Sequence, residues 1–180
     1  MEKWSLFDKN RIKSTIEVNR GEVIPEGLRH IVIHLAIFNS KGEMLIQHRQ
    51  PFKSGWSNLW DLSVGGSAHL NEDSFIALKR EAMEELGYLV LEEKVKHTLT
   101  LVAPNCYDDY YILKEDVDLD KLHLQYEEVK EVKWASLDEI LKMIDNNEFI
   151  PYHKSFIEFL FLRQVYGHNT SRADYTKVEN

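Results

Sequence analysis

The sequence predicts an α/β or α+β domain whose β-sheet is covered by helices, and three observations predict it. The runs HIVIHLAIFN and MLIQHR are apolar and β-branched, as strands are. The stretch from Phe75 to Leu86 carries its apolar residues at helical spacing. Strands and helices alternate along the chain, which stacks helices on a sheet. With 180 residues, 43% of them hydrophobic, the chain is long enough for one domain with a proper core. A single domain over residues 1–180 is expected.

Taken in order, residues 30–39 form a strand, SKGE turns, and MLIQHR returns as the second arm of a hairpin. GWSNLWDLSVGG is aromatic and glycine-rich, a loop with a short strand in it. The helix follows, with Asn71 or Asp73 as its cap and Gly87 as its left-handed stop. KVKHTLTLV, DDYYILK and EVKEVKWA read as three further strands. SLDEILKMID is a helix opening on a capping box, Ser136 with Glu139 three residues later. KSFIEFLFLRQVY is a C-terminal helix, and the polar residues from about His168 form a loose tail.

The helix that ends at Gly87 poses a charge problem. At 100° per residue, Phe75, Leu78, Ala82 and Leu86 form the core stripe, and Glu81, Glu84 and Glu85 crowd the neighbouring one. Like charges at this spacing repel, so water or a bound cation must offset them. The surrounding pattern favours the cation. Gly66, Glu72, Arg80, Glu81, Glu84, Glu85 and Gly87 stand at fixed intervals. At about one chance in fifteen per position, an accidental match is of order one in 10⁸ per start.

Residues 66–88 resemble the Nudix box, Gly-x5-Glu-x7-Arg-Glu-U-x-Glu-Glu-x-Gly-U, with Ala82 at the first aliphatic position and Tyr88 a mild departure at the second. The resemblance implies a Nudix fold, a mixed sheet sandwiched between helices. Clustered carboxylates without a nearby cysteine make an all-oxygen site suited to Mg²⁺, with Mn²⁺ as a substitute. By the resemblance, Glu81 and Glu85 are the main metal ligands, Glu84 assists, and the Gly65 carbonyl adds an oxygen. Glu72 pairs with Arg80 and holds the loop to the helix.

The segment before the box resembles the isopentenyl-diphosphate-isomerase-like branch of the superfamily through Arg49, Lys53, Trp56, Trp60 and Ser63-Val64. Isomerases carry a catalytic cysteine and a metal-binding histidine where this chain has Gly65 and Ser67. His30 matches one isomerase metal ligand, and it can share a strand face with His34. Asp109 matches a catalytic acid of that branch, Lys53 matches a diphosphate contact, and Arg49 is a second cation for the substrate. Glu128, after Glu127, stands where related sequences carry a general base. Trp60, with Trp56, Tyr107 and Tyr111, can wall a pocket for a flat group. Pro104 lies near a proline of ADP-ribose-type hydrolases.

Composition narrows the function further. A formal net charge of −8 argues against a nucleic-acid polymer as partner. No apolar run is long enough to span a membrane, and the N-terminus does not read as a secretory signal. Cys106 is the only cysteine, which suits a reducing cytoplasm. The expected activity is Mg²⁺-dependent hydrolysis of a diphosphate linkage in a small molecule, a nucleoside diphosphate joined to another group. The alternatives are an isopentenyl-diphosphate isomerase and a non-enzymatic ligand sensor. Homodimerisation is left open.

Overall fold

A computed structural model describes residues 2–165. The tail expected from about His168 lies outside the described residues. The elements are β1 (Lys3–Phe7), β2 (Lys13–Asn19), β3 (His30–Phe38), β4 (Met44–Arg49), β5 (Trp60–Asp61), β6 (Val64–Ser67), α1 (Ser74–Leu86), β7 (Val95–Val102), β8 (Cys106–Lys114), β9 (Val129–Ala135), α2 (Leu137–Asp145) and α3 (Lys154–Val165).

Among the described residues, β3 to β9 form one seven-stranded mixed sheet, in which β3 and β8 run parallel. The other pairs are antiparallel. The two-residue period of a strand divides β3 between two cores. Ile31, Ile33, Leu35 and Ile37 pack with α1 residues Ala77, Leu78, Ala82 and Leu86. Ala36 and Phe38 pack with Ile140 and Met143 of α2 and Ile157, Leu160 and Phe161 of α3. β8 splits the same way, Tyr107, Tyr111 and Leu113 toward α1, Tyr110 and Ile112 toward α2 and α3.

The expected hairpin joins β3 to β4, but these strands pair only at Phe38 and Met44. Beyond that point β6 takes the edge of β3, pairing along Val32–Leu35. A gap therefore opens between β4 and β6, and the site is built there. The glycine-rich loop contains two short strands instead of one, β5 and β6. The capping box of α2 is half formed: Ser136 accepts the Glu139 N–H, while the Glu139 carboxylate takes Lys133 at 2.6 Å. The hairpin of β1 and β2 has no counterpart in the sequence reading. Only Ser5, Leu6 and Val18 of its strands are buried, so its pattern is weak.

Candidate active site

The local sequence sets α1 firmly. The Asp73 carboxylate accepts the Ile76 N–H at 2.8 Å as N-cap. Gly87 ends the helix at φ 63°, and the N–H groups of Gly87 and Tyr88 close onto Met83 and Ala82 carbonyls. A side chain at Gly87 would press within 2.9 Å of His123. Of the expected core stripe Leu78, Ala82 and Leu86 are buried and Phe75 is half-buried, and Ala77 joins them.

One glutamate leaves the acidic stripe. Glu85 is 3% exposed, as buried as the core around it. Its Oε2 accepts from the Gln47 side-chain amide at 3.1 Å and from the Gly65 N–H at 3.3 Å. In a strand the N–H and C=O of one residue face the same edge, so the Gly65 carbonyl shares the β6 edge turned to Glu85. Glu81 lies one turn earlier, mostly buried, and a Cβ at Gly66 would collide with its carboxylate. Burial raises the Glu85 carboxyl well above its ordinary range, helped by repulsion from Glu81 and Glu128 and opposed by Gly65 and Gln47. Burial also pushes Glu81 up to about 7, against the pull of Arg80 and with repulsion from Glu84.

Arg80 organises the other side of the helix. It holds Glu72 through two hydrogen bonds of 2.8 and 2.9 Å, the Ser67 carbonyl at 2.9 Å, Glu84 at 2.9 Å and Glu81 at 3.0 Å. Burial raises the Glu72 carboxyl, but Arg80 and the His69 N–H outweigh it and hold the group below its ordinary value. Glu84, expected to assist a metal, is half exposed and engaged by Arg80. The structure does not bring it to Glu85.

Among the other candidates, Lys53 and Glu128 are bound to each other as a salt bridge. Glu128 is close enough to Glu85 to raise its pKa, whereas Glu127 is exposed. Arg49 lies 3.7 Å from buried Asp61 and donates to the Gly55 carbonyl. Trp60, expected to wall a pocket for a flat group, lies on the sheet face opposite Gln47 and Glu85. It pairs with His48, stacks on that ring at 4.7 Å, and packs against the core of α2 and α3. Trp56 is exposed on the loop. Tyr107 and Tyr111 are core residues whose hydroxyls donate to the Asp8 carbonyl and Ser74.

The isomerase-type positions fare differently. Asp109 is fully buried beneath the start of α1 and paired with Arg11. Burial raises its carboxyl, but hydrogen bonds from Arg11, Ser74 and Thr100 outweigh it and keep the pKa below the ordinary value. It is a neutralised structural carboxylate. His30 stacks on Trp4 at 4.1 Å and His34 on Tyr110 at 4.5 Å. Both share the sheet face opposite Ile31 and Ile33, so neither joins Glu81 and Glu85. Cys106 sits beside Asp108, and burial with that charge pushes its thiol up to about 12, an inert value. Gln47 was missed by sequence reasoning. The available signal was an amide in the apolar strand MLIQHR, in step with buried Leu45.

A NUDIX domain model matches residues 28–159. The chain belongs to the Nudix family. It is 39% identical over 167 residues to the Nudix hydrolase lmo0368 of Listeria monocytogenes, covering 93% of this chain and 95% of that protein. The Nudix hydrolase YfcD of Escherichia coli is 27% identical, covering 75% of this chain and 73% of its own. The crystal structure of DR0079 from Deinococcus radiodurans superposes with a TM-score of 0.71 at 21% identity, over 92% of this chain and 99% of that one. The NUDIX domain of Shewanella oneidensis NrtR, solved with ADP ribose, gives 0.55 at 15% identity, over 76% and 88%. These structures share the fold, and the protein is an enzyme of the Nudix hydrolase type.

Nudix hydrolases use divalent cations, and the residues of this chain fit one. Glu81 and Glu85 bring two mutually repelling carboxylates into a buried setting, and only Glu81 has a cationic neighbour in Arg80. All candidate donors are oxygens, which selects hard ions. Among the described residues no three His, Cys, Asp or Glu side chains already converge as a metal-binding group. Two carboxylates and a backbone carbonyl leave room for water and phosphate oxygens, as Mg²⁺ prefers.

Proposed function

We propose that this Nudix hydrolase cleaves a diphosphate linkage in a small molecule with the help of Mg²⁺, and that the molecule is a nucleoside diphosphate joined to another group. The observation that carries the reading is the buried pair Glu81 and Glu85 beside Gly65, in which Arg80 meets Glu81 and no cation of the described residues meets Glu85. The NrtR Nudix domain, with the same fold, binds ADP ribose, which supports the nucleoside diphosphate class. When bound, the cation supplies charge neutralisation on the phosphates and acidifies a water. Glu81, Glu85 and the Gly65 carbonyl would hold it. Lys53 takes a phosphate oxygen, which frees Glu128 from their salt bridge, and Glu128 then accepts the proton of the attacking water. Arg80 and Glu72 keep the loop and helix in register. Cys106 as the single cysteine supports the reducing cytoplasm as the setting.

The isomerase reading lacks its proton-transfer group. Gly65 has no side chain, and Cys106 is a high-pKa thiol on another strand. The test is a panel of nucleoside diphosphate derivatives incubated with Mg²⁺ in H₂¹⁸O. The expected result is one heavy oxygen in a phosphate-containing product. Deuterium uptake from D₂O into isopentenyl diphosphate, abolished by Glu81→Gln, would overturn the hydrolase reading.

A further inference from the structure

We propose that Gln47 is a positioning residue that aims the Glu85 carboxylate at the cation. The inference rests on the metal site argued above. Gln47 is 1% exposed, and a buried amide needs a partner. It sits on β4, while the second donor to Glu85 Oε2, the Gly65 N–H, sits on β6. β4 leaves the edge of β3 beyond the Phe38–Met44 pair and β6 takes that edge over, so the Glu85 side chain is a wedge in the gap between β4 and β6, held from both walls. Both donors take the same oxygen. Among the described residues no donor reaches Oε1, which is left to serve as the ligand atom.

The chemistry of the amide fits this task. A reversed amide would set its oxygen against a carboxylate oxygen, so the donor orientation belongs to the ionised Glu85 that a cation would meet. A Lys or Arg at this position would cancel the Glu85 charge and compete with the cation. An amide fixes the carboxylate and leaves its charge intact. Partners that orient a ligating carboxylate in this way typically matter about 10–100-fold in metal affinity.

The experiment titrates Mn²⁺ into metal-free wild type, Gln47→Met and Gln47→Lys by calorimetry, with thermal melting of each. Gln47→Met keeps length and shape and removes the donor. Its Mn²⁺ affinity should fall about 10–100-fold while its metal-free melting stays at or above wild type, a combination that a purely structural role would not give. Gln47→Lys keeps a donor and adds a charge. It should melt higher than wild type and lose Mn²⁺ binding. Wild-type affinity in either variant overturns the proposal, and so does an affinity loss in Gln47→Met that only parallels a fall in melting temperature. Absence of Mn²⁺ binding in the wild type would instead overturn the metal site itself.

Discussion

Asp109, beneath α1, and Glu85, on α1 itself, are two buried carboxylates, 0% and 3% exposed, and they behave in opposite ways. Asp109 lies beneath the start of α1 with the Arg11 guanidinium, and its pKa is lowered. Glu85 lies near the helix end with two neutral donors and two acidic neighbours, and its pKa is raised. Burial alone does not separate them. What differs is whether the chain supplies the countercharge. Where it does, the carboxylate ties elements together. Where it does not, burial holds the carboxyl against ionisation, the kind of shift that marks a functional site.

The sharpest way to break this comparison is to neutralise each carboxylate without changing its shape. Glu85→Gln should lower turnover by roughly 10²–10³-fold, the effect of losing one preorganised electrostatic group, and leave metal-free melting unchanged or higher. Asp109→Asn should do the reverse. Losing one partner of a fully buried pair costs about 3–5 kcal/mol. Arg11 remains partly hydrated, so a loss of roughly 2–3 kcal/mol is expected, with turnover per folded molecule unchanged. Steady-state kinetics and denaturant titration check both. A destabilised, fully active Glu85→Gln would erase the distinction.

Arg80→Ala probes a mixed case, because Arg80 compensates Glu72 and Glu84 and touches Glu81. Melting and activity should fall together, by roughly 1–3 kcal/mol in stability. Wild-type melting with full turnover would remove Arg80 and Glu72 from the functional core.

The pH dependence of the metal-free protein follows from the same contrast. Glu81 and Glu85 are raised, so between the ordinary carboxylate range and about 7 the folded chain binds more protons than the unfolded chain. Stability from this pair is therefore present at mildly acidic pH and lost as pH rises. Asp109 is lowered, so its contribution is present above the ordinary carboxylate range and lost on acidification below it. Scanning calorimetry should find metal-free melting lower at about pH 8 than at about pH 5.5. At about 2–4 °C per kcal/mol for a chain of this size, the shift is several degrees. Mn²⁺ should recover it at the higher pH only, since cation and protons compete for the same oxygens. The smallest effect is expected for Lys53→Met, a rise in KM of roughly 10-fold with unchanged melting, consistent with a single charge-assisted contact.

Much of this was legible in the sequence. The strand for β3, the caps Asp73 and Gly87, and the pairing of Glu72 with Arg80 stand as expected. The two-residue and 3.6-residue periods are local properties. The departures share a cause. Trp60 follows strand parity to the face away from the carboxylates, and parity is fixed by its pairing with His48 in β4. Glu84 and Glu85 are neighbours in sequence, yet one reaches Arg80 and the other enters the gap between β4 and β6. The β1–β2 hairpin escaped because few of its residues are buried.

By itself the sequence determined that a helix would present Glu81 and Glu85 on one side, a turn apart, next to a glycine pair. Helical geometry and capping need only neighbours along the chain. Which carboxylate would be buried, and whether a cation of the chain would meet it, was decided by tertiary structure alone. Gln47 and Gly65 come to Glu85 from 38 and 20 residues away, and Arg11 reaches Asp109 across 98. Electrostatic environment is set by what folding brings near, and no local period records it.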